Sequence, residues 1–264
     1  MPKLKIEDLV ETVGKDILLE SLDDVEILFL TFDEITSRDE SPNLSAFAHV
    51  PNLKRLAMID NGLKRISGLE PLASSLLTLT ICDQAISTID HCLNLPNLKE
   101  LFLHRNQLAS LEGLTGCPRL TKLWVFQNKL TNLLGLHALP ELEELWIQGN
   151  KIERLNGLEM LPELQELALA GNPISDFAQL RKVKFLKKVK SLTCNDVHFG
   201  SCPIANEPTY KEFVLCTLKH VRVLDGIVVT KEKQHLAETI YQQQVCLEGF
   251  PLFFCCRVPL LLVH

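Results

Sequence analysis

The chain has 264 residues, 46% hydrophobic and 23% charged, with a net charge of −6. That apolar content supports a substantial core and excludes disorder throughout. The acidic balance argues against nucleic acid as a partner, because phosphate recognition needs a basic surplus.

The first predicted element is a helix over residues 5–22. Ile6, Leu9, Val10, Val13 and Ile17 lie near one face, and Glu7 and Asp8 sit in its first turn. The end of a repeat array would otherwise expose its core, so residues 1–24 are expected to form an N-terminal helical cap. No long apolar stretch follows the start of the chain, so no signal peptide is expected. Asn43-Leu44-Ser45 matches a glycosylation acceptor, which without a secretory signal reads as chance. The nine cysteines are scattered, largely in aliphatic positions. They read as reduced, buried thiols and predict a cytoplasmic protein.

Residues 25–193 are expected to hold about seven to eight repeats of one unit. Asn106, Asn128, Asn150 and Asn172 recur every 22 residues. Leu98, Leu120, Leu142 and Leu164 open the same frame, followed by Leu101, Leu123, Leu145 and Leu167, then by Leu103, Val125, Ile147 and Leu169. Beyond each asparagine come three more apolar positions at three-residue spacing, as in Leu108, Leu111 and Leu114. Asn61 and Gln84 hold the asparagine position upstream, and Leu28-Phe29-Leu30 begins a first unit whose back half is stretched by residues 36–43. Leu186, Val189 and Ser191 start an eighth unit.

Each pair of apolar residues separated by one predicts a short strand with two side chains inward and one outward. The three-residue leucine spacing predicts a short helical or 3₁₀ segment on the opposite face. The asparagine amide can donate and accept, so Asn61, Asn106, Asn128, Asn150 and Asn172 are expected to form a structural ladder. Each buried leucine contributes roughly 1.5–3 kcal/mol, and stacking makes one continuous core. The fold class is therefore α/β: a leucine-rich-repeat solenoid, with a curved parallel sheet on its concave face and 3₁₀ turns or short helices on its convex face.

The outward strand positions define the candidate site. The middle column reads Phe29, Ala57, Thr80, Phe102, Trp124, Trp146, Ala168, Lys190. The only two tryptophans of the chain fall here, preceded by Phe102 at the same spacing. Neighbouring strands lie about 4.8 Å apart, so the three rings are expected to stack into one strip. His104, Phe126 and Gln148 form the next column. Arg55, Thr78, Glu100, Lys122, Glu144, Glu166 and Lys188 form the column on the other side. An aromatic strip rimmed by charge predicts a protein-binding surface. A second candidate is the basic run Arg181, Lys182, Lys184, Lys187, Lys188 and Lys190, which reads either as a solvated edge or as a dock for an acidic partner.

Residues 194–230 follow the last repeat. Cys194, His198 and Cys202 have metal-like spacing but no convincing fourth ligand, so no metal is expected. No Walker loop, dinucleotide fingerprint, G-x-S-x-G or H-E-x-x-H is present. Neither catalysis nor a cofactor is therefore expected.

Together the 22-residue unit, its second run of leucines and the segment Tyr210-Lys211-Glu212-Phe213-Val214-Leu215 followed by Leu224-Asp225-Gly226 resemble the Sds22-like class of leucine-rich repeats. The stretch Cys194-Asn195-Asp196-Val197-His198-Phe199-Gly200 is similar to the group around leucine-rich repeat-containing protein 9 and its ciliary relatives. The resemblance implies a C-terminal repeat cap over residues 194–230 and a protein-binding scaffold, associated with cilia or microtubules. The chain is expected to be monomeric on its own. A phosphatase regulatory subunit is the alternative it implies. Residues 231–246 predict one more polar helix. The apolar tail 247–264 is broken by Pro251, Arg257 and Pro259. It reads as an extension outside the fold rather than a membrane anchor.

Overall fold

The computed structural model describes residues 26–31, 44–60, 62–89 and 94–247. The expected N-terminal cap, Asn61 and the tail 248–264 lie outside these residues. Each repeat contributes one strand: β1 (Ile27–Thr31), β2 (Arg55–Ile59), β3 (Thr78–Cys82), β4 (Glu100–Phe102), β5 (Lys122–Trp124), β6 (Glu144–Trp146), β7 (Glu166–Ala168) and β8 (Ser191–Thr193). These eight pair in parallel, in chain order. Equivalent positions stand opposite one another, with Leu101 against Leu123, Leu123 against Leu145 and Leu145 against Leu167.

The alternation of strand side chains explains the sequence frame. Leu101 and Leu103 are fully buried, while Phe102 between them is half-buried on the concave side. On the convex side the chain returns through 3₁₀ turns at Leu114–Gly116, Leu136–Ala138 and Leu158–Met160. Three residues per turn match the three-residue leucine spacing. Gly135, with φ 104°, opens one of these turns, and a Cβ there would run into the Leu111 carbonyl of the previous repeat. Only glycine allows that approach.

The ladder asparagines stitch successive units together. Asn128 Oδ1 accepts the Leu108 N–H (2.9 Å), and its Nδ2 donates to Leu103 O and Val125 O (both 3.0 Å). Asn106, Asn150 and Asn172 repeat the pattern, accepting from Ile86, Leu130 and Ile152 respectively. Gln84 substitutes for asparagine, its Oε1 accepting the Leu63 N–H at 2.8 Å.

One expectation about register is corrected. Continuing the 22-residue step places Lys188 and Lys190 in the concave columns. Instead Glu166 pairs with Ser191 and Ala168 with Thr193, so the seventh step is 25 residues long. The added length goes into a true α-helix on the convex side, α1 (Phe177–Lys182), capped by Asp176 accepting the Ala178 N–H at 2.7 Å. Thr193 and Ser191 therefore occupy the two columns, and Lys188 and Lys190 do not.

Beyond β8 a short antiparallel hairpin forms from β9 (Asn195–Asp196) and β10 (Gly200–Ser201). Then come α2 (Tyr210–Thr217), β11 (Val223–Leu224), β12 (Ile227–Val228) and α3 (Lys231–Leu247). α2 closes the core with Tyr210, Phe213 and Val214. β11 adds in parallel to β8, and β12 turns back on β11 through Asp225 and Gly226, both at positive φ (51° and 75°), as a two-residue hairpin turn requires. Asp225 also accepts the Cys194 and Asn195 N–H groups (2.7 and 3.0 Å), tying the end of the sheet to the hairpin. α3 packs on α2 through Ala237 and a Phe213–Tyr241 ring contact (6.2 Å), and a Lys219–Glu238 ion pair (2.6 Å) ties it to the residues just after α2.

Candidate functional site: the concave aromatic face

The middle column brings Phe102, Trp124 and Trp146 together because β4, β5 and β6 pair without a register shift. Trp124 and Trp146 stack at 4.2 Å between ring centroids and 5° between planes. Phe102 tilts onto Trp124 at 4.5 Å and 52°. All three are half-buried. The flanking positions of the column are small, Ala57 and Thr80 before the strip and Ala168 and Thr193 after it.

The adjacent column adds a second stack. His104 lies on Phe126 at 4.4 Å and 14°, and Phe126 reaches Trp124 at 6.5 Å. Burial lowers the His104 pKa below the ordinary imidazole value, and its Nδ1 has no hydrogen-bond partner among the described residues. Beside it Arg105 pairs with Asp83 at 2.7 Å.

Gln148, expected on the binding surface, is instead buried, 5% exposed. The cause is the β9–β10 hairpin, which folds back over this edge. Phe199 at its turn meets Phe126 edge-on at 5.4 Å and 66°, and a Cβ on Gly171 would collide with the Phe199 carbonyl. Phe199 is the residue of this face that the repeat pattern does not reveal. A signal was nevertheless present: Gly149 and Gly171 stand where earlier units carry Arg105 and Gln127. All four positions have positive φ, from 53° to 69°, so backbone conformation alone does not demand glycine there. The loss of the side chain in two successive repeats marks a close approach.

The other edge of the strip is charged. Glu100 accepts from Thr78 Oγ1 (3.1 Å) and pairs with Lys122 (3.2 Å), which raises the lysine pKa. Glu144 accepts the Trp124 indole N–H at 2.7 Å, and Glu166 accepts that of Trp146 at 3.1 Å. Burial, and then the neighbouring Glu144, raise the Glu166 pKa above the ordinary carboxylate value. The indole bonds fix both rings, so the strip is held rather than loosely exposed.

The basic run is divided. Arg181 lies 5.5 Å over the Phe213 ring, Lys182 donates to Gln179 (2.8 Å) and Asn156, and Lys188 pairs with Glu163. Lys184, Lys187 and Lys190 are exposed and form no ion pair among the described residues, and Phe185 between them is 71% exposed. Cys194 and Cys202 come together in the core, joined by a Cys202 N–H to Cys194 O bond (2.8 Å), whereas His198 is exposed on the hairpin turn.

Comparison with known proteins agrees with this architecture. A family model described as leucine-rich repeat matches residues 125–248, and a second, for two copies of leucine-rich repeats, matches residues 96–139. The fold is that of a leucine-rich-repeat solenoid, and the two matched segments carry leucine-rich-repeat sequence. The chain is similar to an internalin from Listeria monocytogenes, at 20% identity and a TM-score of 0.56, covering 76% of this chain. It spans 56% of the length of that internalin. It is also similar to a chain of the Drosophila melanogaster SNF/U2A′ complex, with 23% identity, a TM-score of 0.44 and coverage of 50% of this chain and 75% of that one. The functional domain of InlJ from Listeria monocytogenes aligns at 19% identity and a TM-score of 0.45, covering 57% of this chain and 32% of that one. No curated protein matches the sequence significantly. Among the described residues no helix is long and apolar enough to cross a membrane.

Proposed function

We propose that the chain is a non-catalytic, cytoplasmic scaffold that docks a protein partner on its concave face, centred on Phe102, Trp124 and Trp146. The observation that carries this reading is the placement of the rings. Three large aromatics occupy consecutive positions of the column, flanked on both sides by small residues, Thr80 and Ala168, and are held in register by strand pairing and by indole bonds to Glu144 and Glu166. A core function does not need them there, since the leucines on the opposite side of the same strands are already fully buried. Fixed, amphipathic rings lose little entropy when a partner covers them, which is why such residues dominate binding energy. Curved solenoids present this kind of extended concave surface. Phe126, His104, Phe199, Glu100 and Lys122 would line the same partner.

The test is to replace Trp124 and Trp146 together with alanine and compare captured proteins by mass spectrometry. The variant is expected to keep the far-ultraviolet spectrum of a folded solenoid and lose specific partners. A folded variant that retains them removes the strip from the function. Phosphatase activity that co-purifies with the wild-type chain, and not with the variant, would select a phosphatase catalytic domain as partner over a ciliary or microtubule protein. The exposed Lys184, Lys187 and Lys190 around Phe185 favour a second contact, with an acidic segment.

A further inference from the structure

The two edges of the aromatic strip differ in charge, and the difference is concentrated at one end. On the edge away from the hairpin, Glu100 is matched by Lys122 at 3.2 Å. Glu144 and Glu166, in the next two repeats, have no cation paired with them among the described residues. Their only hydrogen-bond donors there are the indole N–H groups of Trp124 and Trp146, each of which takes one carboxylate oxygen. The second oxygen of each accepts no hydrogen bond among the described residues. β6 and β7 are adjacent strands with Glu144 directly opposite Glu166, so the two residues project from neighbouring backbones about 4.8 Å apart.

The stack ends at the same place. One face of Trp146 is covered by Trp124 at 4.2 Å, but the next positions in the column are Ala168 and Thr193, so no further ring continues it. An aromatic face and two carboxylates without an ion pair among the described residues therefore meet at the β6–β7 step, where Lys122 acts only at a distance. A neutral apolar partner covering this step would strip water from both carboxylates without replacing it, which is unfavourable. A cation would compensate both. An ammonium is compact and strongly hydrated, whereas a guanidinium is planar, stacks on indole and carries five N–H donors able to serve two acceptors at once.

We infer that the partner presents an arginine side chain, whose guanidinium stacks at the Trp146 end of the aromatic strip and donates to the Glu144 and Glu166 carboxylates. This rests on the reading of the strip as a docking surface and names the chemistry that surface selects. Burial and the neighbouring Glu144 raise the Glu166 pKa in spite of the more distant Lys122, and a cation seated against both carboxylates would oppose that rise.

The chain contains two tryptophans, both in the strip, so intrinsic tryptophan emission reports this site alone. The probe is a synthetic peptide, Gly-Ser-Arg-Gly-Arg-Ser-Gly, titrated into the full chain at low salt, beside the same peptide with both arginines replaced by citrulline, their neutral isostere. Saturable change in emission is expected with the arginine peptide, with citrulline binding weaker by about tenfold or more. A double variant, Glu144→Gln with Glu166→Gln, keeps an oxygen for each indole N–H and should lose the preference for arginine. Equal binding of the two peptides, no emission change with the arginine peptide, or an unaltered preference in the glutamine variant would each overturn the inference. If the arginine inference fails while the tryptophan-to-alanine variant still loses its partners, docking on the strip stands with a different chemistry. If that variant keeps its partners, the docking reading itself has failed.

Discussion

Replacing Asn128 with leucine removes one rung of the asparagine ladder while leaving every repeat leucine in place. The cost follows from counting what each partner has left. The Nδ2 of Asn128 donates to Leu103 O and Val125 O (3.0 Å each) and to Phe126 O (3.3 Å). Each of these carbonyls keeps another donor: Asn106 Nδ2 on Leu103 O, Asn150 Nδ2 on Val125 O and the Arg105 N–H on Phe126 O, all at 3.0 Å. The Leu108 N–H does not, since Asn128 Oδ1 at 2.9 Å is the acceptor it meets. One orphaned buried donor costs about 1–3 kcal/mol, and the weakened carbonyls add to it, so a loss of roughly 2–3 kcal/mol is expected. Asn128→Asp separates donor from acceptor. Its carboxylate still takes the Leu108 N–H but faces three carbonyl oxygens, so the folded chain favours the protonated acid and raises its pKa above the unfolded value. The folded state then binds more protons than the unfolded one, and stability falls as pH rises through that interval. Urea unfolding followed by far-ultraviolet circular dichroism, at pH 5 and pH 7.5, reads both variants. The leucine variant should shift the midpoint at unchanged slope, and the aspartate variant should be more damaged at pH 7.5. A leucine variant within about 0.5 kcal/mol of wild type, or an aspartate variant indifferent to pH, would refute the ladder as a source of stability.

Two further outcomes are expected. Gly135→Ala places a side chain at φ 104° against the Leu111 carbonyl and should lower stability by roughly 1–3 kcal/mol; a thermal midpoint equal to wild type would rule out the close approach. Burial depresses the His104 pKa below its ordinary 6.5, so the unfolded chain binds more protons there than the folded one. That contribution is complete above pH 6.5 and is lost as pH falls through the depressed folded value. His104→Gln should therefore flatten the pH dependence of the urea midpoint on the acid side of pH 6.5, and an unchanged slope would count against the burial effect.

The parts of the fold legible in the sequence are those in which one local rule repeats. Leu101, Leu123, Leu145 and Leu167 lie at one spacing because each strand must present the same inward residue to its neighbour, and the stacking of Phe102, Trp124 and Trp146 followed from that register. The eighth strand was misplaced because Val183, Leu186 and Val189 continue the three-residue apolar spacing and are all buried. Lys188-Val189-Lys190 thus imitates a strand at the expected step, while Ser191-Leu192-Thr193 offers a single inward leucine. Sequence spacing cannot separate these, because the choice depends on the extra length consumed by α1 on the other side of the solenoid. The burial of Gln148 was hidden for a related reason. It arises from a hairpin roughly 50 residues later in the chain, and only the paired glycines Gly149 and Gly171 hint at it.

That hairpin also gives the site a direction. Phe199 walls the aromatic face on the side of Phe126 and Gln148, so on the proposed reading a partner would meet the strip from the opposite edge, where Glu100, Lys122, Glu144 and Glu166 stand. The strip is then read through its charged column, and specificity falls to the residues of that column that are not already paired. Because Lys122 is paired with Glu100, the carboxylates without an ion pair among the described residues lie at β6 and β7, beside the stacked indoles. The ladder asparagines matter here as well. By fixing successive strands in register they hold Trp124 and Trp146 within 4.2 Å of each other before any partner arrives. A partner therefore gains the contact without ordering the surface that makes it.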